Sequence, residues 1–214
     1  MSYVKIINWR RFLNIWPKIR TRFYIHWNRL YFNMIGVKYG LRLFVYDKVY
    51  ILGRGNIIIG NDFTFTSGVC HNPICRNIRG AMYVQSEKSK IQIGDRVGIS
   101  SSCLWAKDSI TIGNDVNIGG DCLIMDNAAH PHNYIQRRLT FASEVGKEEY
   151  YKTIPTAPVV IGDDVWIGAR CQILKGVHIG SRSIIAAGSI VTKDIPEGCI
   201  AGGNPCRVIK EITT

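Results

Sequence analysis

Residues 161–191 read IGDDVWIGARCQILKGVHIGSRSIIAAGSIV. An aliphatic residue stands at every sixth place: Ile161, Ile167, Ile173, Ile179, Ile185 and Val191. A helix repeats every 3.6 residues and a plain strand every 2, so neither gives this period. A solenoid of short parallel strands does. Each hexapeptide makes one flat side, and three hexapeptides close a triangular coil. Aliphatic side chains stack inside as a ladder, while small residues turn the corners. Backbone groups pair with the coils above and below.

The period extends outward from this stretch. It recurs at Ile112, Ile118 and Ile124, and at Ile93, Ile99 and, less regularly, Trp105. A weaker trace precedes these at Ile59-Gly60 and Phe65. The step from Trp105 to Ile112 is seven, so one coil is expected to hold an extra residue. Four places after most ladder positions sits a second small or medium residue, as at Val97, Val116, Val165, Val177 and Ser183. Cys103, Cys122 and Cys171 fall on such positions and Cys70 lies beside one. Free cysteine behaves as a small hydrophobe, so packing accounts for them.

The chain has 214 residues, 46% hydrophobic and 20% charged, which excludes a largely disordered protein. Its seven cysteines are odd in number and form no CxxC pair. No signal-peptide pattern and no transmembrane run is visible, so the reading is a reduced, cytoplasmic protein. The net charge is +11. Lys5, Arg10, Arg11, Lys18, Arg20, Arg22, Arg29, Lys38 and Arg42 carry most of it, and residues 1–46 contain no acid. The basicity therefore belongs to an N-terminal arm. Residues 1–35 read as one or two helices around Pro17, with Trp9, Trp16 and Trp27 among the arginines. Two roles stand open: a cap on the first coil, or peripheral contact with the inner face of a membrane. No motif accompanies the charge to indicate nucleic acid. The expected boundaries are 1–48 for the arm and 49–214 for the solenoid, with 126–158 inserted as a loop.

That insertion leaves the repeat after Ile124 and returns at Val159. A solenoid does not need it, and long insertions of this kind are usually functional. It opens with Asp126, Asn127, His130, Pro131, His132 and Asn133. A second break, near Cys70 to Lys90, contains His71, Asn72, Arg76, Asn77 and Arg79 and borders the same region in this reading.

The repeat, taken with the stretches IIAAGSIVTKDIP (184–196) and AGGNPCRVI (201–209), resembles the hexapeptide-repeat acyltransferases of the maltose and galactoside acetyltransferase type. The resemblance covers about residues 50–210. It implies an all-β solenoid, a left-handed parallel β-helix, assembled as a homotrimer with sites between subunits. It also implies acetyl-CoA as co-substrate and a sugar or glycan acceptor. By analogy the acceptor belongs to capsule, O-antigen or exopolysaccharide assembly and can be lipid-linked.

The stretch from Asp126 to His130-Pro131 matches the family's loop histidine, which makes His130 the expected general base. A neutral imidazole suits removal of a hydroxyl proton near physiological pH. Asp126 is expected to orient His130, to position the acceptor, or only to start the loop as an Asx turn. His132 is a weaker candidate for the acceptor site. For the donor, the family pattern implies Trp166, Gly168, Ala169, Ala187, Thr192, Lys193 and Arg207. The Ala and Gly positions would let a thin cofactor lie on the backbone, and Lys193 and Arg207 would meet its phosphates. An amide near Gly168-Ala169 is the expected oxyanion donor. Three alternatives remain: N-acetylation of an amino sugar, a non-catalytic scaffold, and a zinc hydratase of the γ-carbonic anhydrase type. No metal is expected, because no three-histidine set suggests itself.

Overall fold

The computed structural model describes residues 15–68, 71, 74, 78–141 and 144–212. From residue 37 onward the chain winds into a three-sided parallel β-helix. Face A stacks Lys38–Tyr39, Asn56–Ile59, Lys90–Ile93, Ser109–Ile112, Val159–Ile161 and His178–Ile179. Face B stacks Phe44–Tyr46, Thr64–Thr66, Gly98–Ser100, Asn117–Ile118, Trp166–Ile167, Ile184–Ile185 and Cys199–Gly203, and ends on the antiparallel strand Cys206–Glu211. Face C stacks Tyr50–Gly53, Ala81–Val84, Cys103–Ala106, Leu123–Met125, Gln172–Ile173 and Ile190–Val191.

The ladder is the core. Ile93, Ile112, Ile161 and Ile179 stack on face A, and Ile99, Ile118, Ile167 and Ile185 on face B. All eight are at most 2% exposed. The Ile-Gly-Asx motif has its reason at the A–B corner. Asn61, Asp95, Asn114 and Asp163 each accept, through a side-chain oxygen, the backbone N–H of Leu41, Asn61, Asp95 and Asn114 respectively. This polar ladder leaves no room for a side chain just before it. A Cβ on Gly113 would stand 2.5 Å from Asp163 Oδ1.

Two expectations shift. The solenoid begins before residue 49, because Lys38–Tyr39 and Phe44–Tyr46 already pair with the next coil. Val37, Leu43 and Val49 are buried six residues apart, in a coil that lacks the Ile-Gly marker. The ladder residue on face C is Leu104, not Trp105: Leu104 aligns with Ile124 and is fully buried. The corner before it, where Ser101 has φ 34°, is one residue shorter than the corresponding corners after Ile118 and Ile167. Counting six from Ile99 therefore overshoots. The same slip puts Ser102, not Cys103, on the small inward position; Cys103 is half-buried, while Cys122 and Cys171 are buried as expected. Cys70 lies outside the described residues.

Helix α1, Ile15–Met34, closes the open end of the first coil. Pro17 sits in its first turn, where a missing N–H costs nothing. Phe32 is fully buried, and Asn28 Nδ2 donates to Val45 O at 2.9 Å and Asp47 O at 2.8 Å. Arg20 pairs with Asp47. The stretch before Ile15, including Trp9, Arg10 and Arg11, lies outside the described residues.

Candidate functional site

The insertion starts at the C–A corner. In place of a structureless loop it folds into α2 (Tyr134–Arg137), a 3₁₀ turn (Arg138–Phe141) and α3 (Glu144–Lys152). Its ends are tied together. Ala157 N donates to Asp126 O at 2.8 Å, Ala128 N donates to Pro155 O at 3.0 Å, and Asn127 bridges Thr156.

Asp126 is fully buried and supports the coil before it. The step from Leu104 to Ile112 is eight residues, two more than the repeat. That longer corner is held by the Asp126 carboxylate, which accepts Lys107 N at 2.8 Å and Asp108 N at 2.7 Å. Asn127 Nδ2 adds a third bond at 3.2 Å. Burial raises the Asp126 carboxyl above the usual carboxylate range, opposed by these hydrogen bonds. This is none of the expected roles: the carboxylate makes no Asx turn, since Ala128 N donates to Pro155 O, and instead braces the neighbouring coil.

The next residues present His130. Asn127 Oδ1 accepts Ala129 N at 2.9 Å. Ala129 adopts φ 58°, a left-handed conformation that costs a non-glycine residue about 1 kcal/mol. His130 follows with an exposed ring. Its Nδ1 is hydrogen-bonded to the hydroxyl of Tyr150, which is buried at 5% exposure. The partner of His130 is thus a phenol from α3 and not Asp126. No sequence signal singled out Tyr150, one of two adjacent tyrosines in the charged stretch GKEEYYK. His132 is exposed and contributes its carbonyl to Arg137 Nη1 at 2.7 Å.

Beside this loop lies an open cleft of roughly 1350 Å³. One wall is the outer surface of face C at Leu52 and Tyr83, with Trp105 and Met125 continuing the same row on the coils beyond. Tyr83 and Trp105 stack, with centroids 5.6 Å apart and planes 28° from parallel. The other wall is α3, through Glu148, Tyr151 and Lys152. Lys107 and Asp108, the residues held by Asp126, lie between the walls. Tyr150, the partner of His130, does not line this cleft itself but packs on Tyr151, which does, with ring centroids 5.3 Å apart. From the second break, Ser86, Glu87 and Lys88 line the cleft. Asn72, Arg76 and Asn77 lie outside the described residues. His71 packs against Tyr46, 5.3 Å between centroids.

The expected donor residues divide between two corners. Gly168, Ala169 and Ala187 stand at the B–C corner, directly after Ile167 and Ile185, with Trp166 beside them on face B at 57% exposure. The stack is close: a Cβ on Gly168 would stand 2.5 Å from Ala187 N. The Cys122 thiol donates to Gly168 O at 3.1 Å and the Cys171 thiol to Ala186 O at 3.2 Å, fixing this edge from inside. Arg207 lies exposed opposite Gly202 on the terminal hairpin. Thr192 and Lys193 stand instead at the C–A corner, the corner from which the His130 loop departs. One side of the triangle separates the two sets, roughly 20 Å for six residues at about 3.3 Å each. Gly168 N is committed to Ile185 O at 2.8 Å. Among the described residues the Ala169 N–H enters no ladder bond, so it is the available donor of that pair. Also among the described residues, no three His, Cys, Asp or Glu side chains converge as a metal site would require.

The fold and site define a hexapeptide-repeat solenoid with a histidine-bearing insertion. Residues 158–193 match the family described as bacterial transferase hexapeptide (six repeats). The chain is 42% identical over 132 residues to a putative acetyltransferase of Saccharomyces cerevisiae, covering 58% of each chain. It is 42% identical over 115 residues to the galactoside O-acetyltransferase of Escherichia coli, covering 50% of this chain and 51% of that one. In fold it is similar to AntD, an N-acyltransferase from Bacillus cereus solved with dTDP and 3-hydroxybutyryl-CoA. The TM-score is 0.63, with 19% identity, over 86% of this chain and 88% of that one. The protein is a relative of the hexapeptide-repeat acetyltransferases, and it spans somewhat over half the length of the curated relatives it matches.

Proposed function

We propose that the protein is an acetyl-CoA-dependent O-acetyltransferase acting on a sugar hydroxyl in the assembly of a surface polysaccharide. The observation that carries this reading is the His130–Tyr150 pair, whose phenol comes from the same helix α3 that walls the cleft. A pyranose ring presents an apolar face to aromatic rings and hydroxyls to charged groups, and this cleft offers both: Tyr83 on one wall and Tyr151 on the other, with Asp108, Glu148 and Lys152 around them.

The tautomer follows from the proposed role. For Nε2 of His130 to accept a proton, Nδ1 must carry one and donate it to the Tyr150 oxygen. Tyr150 then fixes the ring, and Nε2 takes the hydroxyl proton as the new C–O bond forms. The acetyl group comes from the acetyl-CoA thioester, whose C–S bond breaks as the C–O bond forms; CoA leaves as the thiolate and takes up the proton held on Nε2. Gly168 packs directly on the Ala187 backbone, and the glycine and alanines of this corner leave no bulky side chain in the way of the pantetheine arm we place along it. Ala169 N–H is placed to hold the developing oxyanion. Trp166 stands beside these residues on face B, and Arg207 and Lys193 supply charge for phosphates.

A corner-to-corner separation of roughly 20 Å is too long for one centre within one chain. We therefore place the reacting centre between subunits of a homotrimer, where one subunit's His130 corner meets its neighbour's Gly168 corner. Mixing two inactive variants tests this. His130→Ala and Ala169→Pro, unfolded together and refolded, should regain part of the activity if the sites are shared, and none if each chain is self-sufficient.

A further inference from the structure

The part of the molecule that the proposed reaction leaves unused is the outer face of α1. The helix seats itself through Phe32, Asn28 and Arg29, whose guanidinium donates to Leu43 O at 3.0 Å. Away from that seat stand Trp16, Ile19, Phe23, Trp27, Leu30 and Met34, each between 49% and 75% exposed. At about 100° per residue these six fall within an arc of roughly 80°, a continuous apolar stripe over the whole helix. Phe23 and Trp27 stack within it, 6.2 Å between centroids. A cap needs one apolar face, and α1 has two.

The charge around the stripe selects its occupant. Lys18, Arg20, Arg22 and Arg29 lie on α1, and no acid does; by the same count Arg20 and Arg22 flank the stripe, while Lys18 and Arg29 lie about 80–100° beyond its edge. Lys18 and Arg22 are exposed. Arg20 is paired with Asp47, the first acid of the chain. Two copies of α1 laid face to face would bring cations together without acidic partners, which opposes self-association. An anionic surface meets the same cations favourably, and exposed tryptophans suit the interfacial zone of a bilayer. No described helix is long and apolar enough to cross a membrane.

We infer that α1 docks this face on an anionic lipid surface, lying in the interface while its opposite face caps the β-helix. The inference is independent of the proposed reaction, since it uses none of the residues placed in the site.

The full-length protein, sedimented with phosphatidylcholine vesicles with and without phosphatidylglycerol, provides the test. Binding to the phosphatidylglycerol vesicles should exceed binding to phosphatidylcholine alone by about tenfold or more, and should weaken with added salt. The triple variant Trp16→Ser/Phe23→Ser/Trp27→Ser should lose at least about tenfold in binding while keeping its melting temperature and oligomeric state. Lys18→Gln/Arg22→Gln should retain weaker binding with a flatter salt dependence. Absence of vesicle binding, or equal binding by the triple variant, overturns the inference. So does a triple variant that falls to a smaller oligomer, since the stripe would then be a subunit contact.

Discussion

Nδ1 of His130 and the hydroxyl of Tyr150 are hydrogen-bonded across twenty residues of a single insertion. The bond joins a ring held out by a left-handed Ala129 to a phenol buried in α3. If it fixes the tautomer of a general base, His130→Ala should lower acetyl transfer by roughly 10²–10⁴-fold with acetyl-CoA binding intact. Tyr150→Phe should lower turnover less, about tenfold, and change the pH–rate profile without changing the KM for acetyl-CoA. A Tyr150→Phe enzyme with an unchanged profile would show that the phenol only packs the loop.

Asp126 should behave as a structural residue. Asp126→Ala removes the acceptor for two backbone amides at the Lys107-Asp108 corner. Leaving such groups unpaired costs about 1–3 kcal/mol each, so the melting temperature should fall by several degrees. Asp126→Asn should lose less, since one amide oxygen can still accept. If Asp126→Ala melted like the parent but lost all activity, Asp126 would belong to the chemistry.

At Gly168, replacement by Ala should damage both stability and donor binding. The added Cβ meets the Ala187 backbone, which is itself fixed by the next coil. Overpacking of this kind costs typically about 1–3 kcal/mol. Thermal denaturation and acetyl-CoA titration of the same variant would read the two effects separately.

Acid and salt should act together on the A–B corner. Hydrogen bonds from Arg42 and Arg96 hold the carboxyls of Asp62 and Asp115 below the usual carboxylate range. Their contribution is present at neutral pH and is lost as pH falls through the lowered values. Both pairs stand partly exposed at the surface, so high salt should screen them. Stability measured from pH 6 down to pH 3 should therefore fall less steeply in high salt. Parallel curves at low and high salt would remove these pairs from the acid response.

The repeat was legible because its cause is periodic. One ladder residue and one corner recur every six places, so Ile161 to Val191 could be counted without error. Counting failed where the coil length changes: the short corner at Ser101 displaced Trp105 and Cys103 from the positions assigned to them. The first coil was hidden because Val37, Leu43 and Val49 keep the period without the Ile-Gly marker. His130 stood out as a histidine in an insertion, but Tyr150 did not, since their meeting depends on how 126–128 and 155–157 zip together. The distribution of Lys193 and Arg207 over two corners was equally invisible in a linear motif. It appears only once the turns are assigned to faces.

The most direct test needs no knowledge of the acceptor. It is a calorimetric titration of the protein with acetyl-CoA, repeated on the Lys193→Ala/Arg207→Ala variant. The account predicts saturable binding to the parent protein, at least about tenfold weaker in the variant, because two phosphate-binding cations are gone. Absence of binding to the well-folded protein, or equal binding by parent and variant, would contradict the donor site and the transferase reading built on it.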